Sequence, residues 1–169
     1  MDKNLELKIL KVSEKAYKYE QDVGGCAQCV LAAIKEEFGF INDDVFRSGT
    51  GFAGGIGLTG DTCGALIGAV IAISTFYGRD YSNFQDMENK RYVTLSIVKE
   101  MINKFKDEYG TTKCCDIQYE LMGRSFNLWD SSDREDFIEA GGHKDKCPLV
   151  CAKSAKWAIE LLVEHNLLN

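Results

Sequence analysis

Asp61-Thr62-Cys63-Gly64-Ala65-Leu66-Ile67-Gly68-Ala69-Val70-Ile71-Ala72-Ile73-Ser74-Thr75-Phe76-Tyr77-Gly78 is the stretch that decides the fold. Past Asp61 it carries no charge, and its apolar residues fall on every side of a helical period. A helix without a polar face belongs at the centre of a domain, surrounded by other helices. The run predicts a helix from about Cys63 to Tyr77, capped by Asp61-Thr62 and stopped by Gly78. Its apolar part, Gly64 to Tyr77, is 14 residues, short of the roughly 20 that cross a bilayer. Gly64 and Gly68, one turn apart, would let another helix or a bound group come close to the backbone.

Upstream, residues 49–60 contain six Gly in twelve positions, so a loop with many positive-φ residues is expected there rather than a regular element. Cys26 to Phe38 reads as a helix with Cys26, Cys29, Val30, Ala33, Ile34 and Phe38 on one face, opened after Gly24-Gly25 and stopped at Gly39. Residues 5–20 form an amphipathic helix carrying Leu5, Leu7, Ile9, Leu10, Val12, Ala16 and Tyr17 at a mixed spacing of three and four. Asn42-Asp43-Asp44 caps a short turn ending near Ser48. Downstream, an amphipathic helix is expected over 86–108. A short one, capped by Thr111-Thr112, runs through Cys114, Cys115, Ile117 and Leu121. Another, capped by Ser131-Ser132, covers Asp133 to Ala140, and a last one runs from Cys147-Pro148 to about Glu164. The expectation is an all-α, single-domain bundle of about six to eight helices over residues 1–169, with a Gly-rich loop ahead of its central helix.

The bulk composition narrows the chemistry. Net charge is −6 with no long basic stretch, which argues against nucleic acid and anionic membrane as partners. The opening Met1-Asp2-Lys3-Asn4-Leu5-Glu6 has no signal-peptide character, so a cytoplasmic location is expected. Cytosolic thiols are kept reduced. A chain of 169 residues folds without disulfide staples, yet this one has seven Cys. That combination points to metal, cluster or redox chemistry.

Cys26, Cys63, Cys114 and Cys147 each fall at an inferred helix start, with Cys147 read as an N-cap because Pro148 favours the first helical position. First-turn N–H groups lack intrahelical partners, and the dipole adds about half a positive charge, so thiolate is favoured there. Four such ends converging would make a donor-rich pocket for an iron–sulfur cluster or a zinc ion, or would hold two dithiol pairs. Cys29 and Cys151 lie within helices on apolar faces, and small buried hydrophobes are their ordinary role. The alternative is that Cys26/Cys29 and Cys147/Cys151, at i,i+3 and i,i+4, act as attacking and resolving redox thiols. Of Cys114 and Cys115 at least one belongs to the site. His143, four residues before Cys147, is either a ligand or proton donor or a solvated loop histidine. Cys26-Ala-Gln-Cys29 is a lone C-x-x-C, and no C-x-x-C-H is present, so covalent haem is not expected. Gly49-Thr50-Gly51-Phe52-Ala53-Gly54 follows no strand and opens no helix, so it is no dinucleotide motif. Its backbone N–H groups instead suit a sulfur or a bound anion. Carboxylates such as Glu36, Asp44 and Asp133 read as caps and solvated faces.

Cys26-Ala27-Gln28, the loop Gly51-Phe52-Ala53-Gly54-Gly55-Ile56-Gly57, the block Cys63-Gly64-Ala65-Leu66-Ile67-Gly68, and cysteines at 114 and 147 together resemble the C_GCAxxG_C_C family of redox-active proteins. The resemblance runs from about residue 20 to 160, and the domain also looks like that of split-Soret cytochromes, which hold an iron–sulfur centre. By position, the four family cysteines fall on Cys26, Cys63, Cys114 and Cys147. The resemblance implies a redox protein whose partner is a redox protein or a small-molecule electron donor or acceptor. An iron–sulfur cluster serving electron transfer or redox sensing is the first expectation. A metal-free thiol–disulfide protein is the second, and a structural zinc module acting as an interaction module is the third; Cys115 and His143 are further candidate metal ligands beside the four cysteines. Whether the chain is an enzyme stays open. Broad apolar and small-residue faces would permit a homodimer.

Overall fold

The computed structural model describes residues 2–169, and the regular elements among them are all helices. Eight α-helices follow in order: α1 Lys3–Asp22, α2 Cys26–Phe38, α3 Asp43–Ser48, α4 Gly64–Tyr77, α5 Lys90–Tyr109, α6 Cys114–Met122, α7 Ser131–Glu139 and α8 Cys147–Glu164. The only extended pairing among the described residues is an isolated antiparallel bridge between Thr62 and Lys113. No helix among them is long and apolar enough to cross a membrane.

The apolar run of α4 buries Gly64, Ala65, Leu66, Gly68, Ala69, Ala72 and Ile73. It packs against α2, α5 and α8, as a helix without a polar face must. The centre is shared with α8, which buries ten residues including Val150, Cys151, Ala155, Ile159 and Leu162. Along α1 the buried stripe is Leu5, Ile9, Val12, Ala16 and Glu20, and it lies on α8 and α2. Burying each large side chain, such as Ile34, Phe105 or Leu162, contributes about 1.5–3 kcal/mol. A second, smaller cluster of Phe126, Leu128 and Phe137 packs on Leu58, Met122 and Cys147.

Several expected helix starts shift by a few residues. Asn42 caps α3 as expected, accepting from Val45 N at 2.9 Å. At α4 the Asp61 carboxylate instead turns onto Thr62 N at 2.6 Å, and Cys63 itself is the N-cap residue. At α6 the Thr111 hydroxyl accepts from Lys113 N and donates to Asp116, leaving Lys113 as the cap position. Asp130, not Ser131-Ser132, caps α7, because its carboxylate accepts Asp133 N at 2.9 Å and suits the positive end of the helix. Cys147 is the first residue of α8, not its cap, since Lys146 precedes it in helical conformation and Pro148 takes the next place. The long helix begins at Lys90 rather than 86. Asp86 sits at positive φ and spends its carboxylate on the N–H groups of Lys90 and Arg91. Within 49–60, Gly49–Phe52 forms one 3-10 turn where none was expected, and tight turns follow it.

Candidate functional site

The site is assembled from four chain reversals. At the first, α1 ends at Asp22, the chain turns through Gly24-Gly25, and Cys26 opens α2. At the second, the glycine loop delivers Cys63 to the start of α4. The bridge at Thr62 and Lys113 ties this point to the third reversal. Cys63 N donates to Thr112 O at 2.8 Å, Cys114 N to Asp61 O at 2.7 Å, and Cys115 N to Gly60 O at 3.0 Å. The starts of α4 and α6 are thereby held side by side. Gly55, at φ +75°, makes room for the join: a Cβ there would stand 2.7 Å from Cys114 Cβ and 2.6 Å from Asp61 backbone atoms. At the fourth, a π-helical turn, Gly142–Lys146, leads into Cys147. Helix α1 holds that turn, with Tyr17 Oη and Gln21 Nε2 donating to Lys144 O at 3.3 and 2.5 Å.

Cys26, Cys63, Cys114 and Cys147 line one cavity of about 100 Å³. That volume exceeds what a single water needs, about 10–15 Å³. Cys151, Glu20 and His143 share its wall, and Leu58, Leu128, Phe137 and Val150 make the wall mostly apolar. The spacing of Gly64 and Gly68 is used by α2. A Cβ on Gly64 would stand 2.5 Å from Cys26 Sγ, and one on Gly68 would stand 2.6 Å from Ala27 O.

The remaining cysteines separate cleanly. Cys29 is buried away from the cavity wall and donates to Gly24 O at 3.1 Å. Cys115 faces Asp116 Oδ1 at 3.6 Å and is also absent from the wall, so Cys114 is the member of the adjacent pair that reaches the cavity. Cys151, read from the sequence as packing, does reach it, and its thiol also faces Cys26 O at 3.8 Å. Among the described residues no three His, Cys, Asp or Glu side chains stand close enough to share one metal ion.

Their electrostatics reverse the expectation of ready-made thiolates. Backbone N–H groups near the sulfurs, of Gly54 and Ala27 at Cys26 and of Leu66 and Ala65 at Cys63, favour the anion. Burial outweighs them. Desolvation pushes the Cys63 thiol up to about 12, assisted by the nearby Cys114. It likewise pushes Cys114 up to about 12, assisted by Cys26. Cys26, Cys147 and Cys151 are also pushed upward, by burial first and by the Glu20 carboxylate second. Without a cation the cavity therefore holds neutral thiols.

Glu20 is the residue that the sequence reading passed over. It is 3% exposed, and its Oε1 lies 3.2 Å from His143 Nδ1. His143 is thus neither free in a loop nor simply solvated. It stacks edge-on against Phe137, at 5.2 Å between ring centres, and contact with Glu20 raises its pKa. The available signal was the α1 stripe itself, Leu5, Ile9, Val12 and Ala16, which continues onto Glu20. Trp129, 70% exposed, donates its Nε1–H to Gly57 O at 2.9 Å and pins the glycine loop from outside.

No solved structure matches the chain. A protein of Archaeoglobus fulgidus described as "Uncharacterized protein" is 26% identical over 115 residues, covering 66% of this chain and 76% of its own. The family model described as "Putative redox-active protein (C_GCAxxG_C_C)" matches residues 25–161. That span takes in Cys26, the glycine loop, the Cys63-Gly64-Ala65 block, Cys114 and Cys147, so the chain belongs to this redox-active family.

Proposed function

We propose that this redox protein carries an iron–sulfur cluster on Cys26, Cys63, Cys114 and Cys147 and serves electron transfer or redox sensing. The observation that supports it is the convergence of four helix-start cysteines on one cavity of about 100 Å³. The chemistry of the donor set fits. Cysteine sulfurs suit iron–sulfur clusters, and these four line one cavity wider than a single ion. When bound, the cluster supplies one-electron redox chemistry.

The protein's own part is distinct. The N–H groups of Gly54, Ala27, Ala65 and Leu66 near two of the sulfurs favour negative charge there, and donors near cluster sulfurs raise a cluster's potential. The neutral thiols release protons on loading, so uptake is favoured as pH rises. The electron partner in this reading is a redox protein or a small-molecule donor or acceptor.

The test is iron and acid-labile sulfide per chain, with a visible spectrum, on protein prepared without oxygen. Bound iron and sulfide with a visible absorption band, both sharply reduced by Cys63→Ser, are expected. A protein that stays colourless after reconstitution overturns the reading. It would shift the weight to thiol–disulfide chemistry at Cys147 and Cys151, one turn apart on α8 and both on the cavity wall.

A further inference from the structure

Glu20 is the one carboxylate on the wall of the cysteine cavity. Its side chain is almost wholly buried, and its Oε2 has no hydrogen-bond partner among the described residues. The contact of Oε1 with His143 Nδ1, at 3.2 Å, is off the line of a hydrogen bond and works as an ion pair. Cys29 also lies beside Glu20, and its thiol stands 3.1 Å from Gly24 O, the acceptor placed for its single proton. A carboxylate oxygen kept dry and unpaired costs about 1–3 kcal/mol or more. Any apolar residue at this point of the α1 stripe would avoid that cost, as Leu5, Ile9, Val12 and Ala16 do. Glu20 shares the cavity wall with Cys26, Cys147 and Cys151, and its charge raises the pKa of these three thiols and of Cys29.

Resting on the iron–sulfur reading above, we propose that Glu20 is a fifth protein donor to the metal group, its Oε2 ligating one iron beside the cysteine sulfurs. A cation in the cavity is the partner that this oxygen lacks, and carboxylate oxygen is an established ligand for iron. His143 is the positioning residue. By holding Oε1 it leaves Oε2 as the free donor, in the way that outer partners orient metal-bound carboxylates. The iron held by Glu20 differs from its neighbours, having an oxygen where they have only sulfur.

The deciding measurement is a Mössbauer spectrum of the full chain loaded with enriched iron and sulfide without oxygen. The expected wild-type spectrum contains a minority iron class with a larger isomer shift than the sulfur-ligated class. That class is lost in Glu20→Gln, while the sulfur-ligated class remains. Affinity alone would not decide, since loss of an outer partner also costs about 10–100-fold. If Glu20→Gln does not fold, judged by circular dichroism of the unloaded protein, Glu20→Asp takes its place. Its shorter side chain withdraws the oxygen but keeps the charge, and the same class should be lost. A loaded wild type with only all-sulfur iron, or a minority class that survives both substitutions, overturns the inference and leaves the cluster reading standing. A wild type that takes up no iron and sulfide overturns both.

Discussion

A methyl group on Gly64 would stand 2.5 Å from Cys26 Sγ and press on the Phe52 carbonyl. Neither neighbour yields easily, since one is backbone and the other is fixed at the first turn of α2. Gly64→Ala should therefore destabilise the protein by about 1–3 kcal/mol in a denaturant titration and push Cys26 off the cavity wall, lowering iron per chain. Gly51→Ala is the matched control, with open space around it and no positive φ. Equal stability of the two variants would show that α2 and α4 can separate freely. This close approach was legible in the spacing of Gly64 and Gly68. Glu20 was marked only by its place one turn beyond Ala16, and it was passed over because a glutamate near the end of an amphipathic helix is ordinarily solvent-facing. The packing of α1 against α8 and α2 turns position 20 inward.

Helix α7 buries Phe137 alone, whereas α8 buries ten residues. The Phe137 side chain closes one wall of the cavity and packs on Gly142, yet it belongs to the small cluster and not to the main core. Elements with few buried contacts open at lower free energy than the core. In native-state hydrogen exchange the α7 amides should exchange well before those of α4 and α8. Protection of α7 equal to that of α8 would mean that the two clusters open as one unit. The same contrast explains which elements could be read from sequence. Helices α2, α4 and α8 carry strong apolar patterns bounded by Gly or Pro, and their spans emerged nearly as expected. The caps were less legible where several capping residues stand together, as in Asp130-Ser131-Ser132 and Asp61-Thr62-Cys63. Which one is used depends on contacts from far along the chain, such as the pairing of Thr62 with Lys113.

Across the whole molecule, the positions of the four helix-start cysteines were written in local punctuation, but their protonation was not. Local reasoning put each sulfur at a positive helix end. The folded chain then buries Cys63 and Cys114 and half-buries Cys26 and Cys147, and desolvation wins at each. The consequence for stability has a definite sign. Unfolded thiols ionise near 9.0, while folded Cys63 and Cys114 hold their protons up to about 12. The folded state thus binds more protons through that interval, so its contribution is complete below pH 9 and declines as pH rises toward 12. Metal-free wild type should lose melting temperature over this range more steeply than Cys63→Ser, compared by scanning calorimetry. Parallel curves would mean that the cavity is open to water. The indole of Trp129, tethered to Gly57 O yet mostly in solvent, has a further use, since the only other tryptophan, Trp157, packs against the main core. The protein carries a fluorophore on the outside of the loop that covers its sulfurs, so a Trp157→Phe protein would signal movement of that loop as a change in emission, with no dye attached.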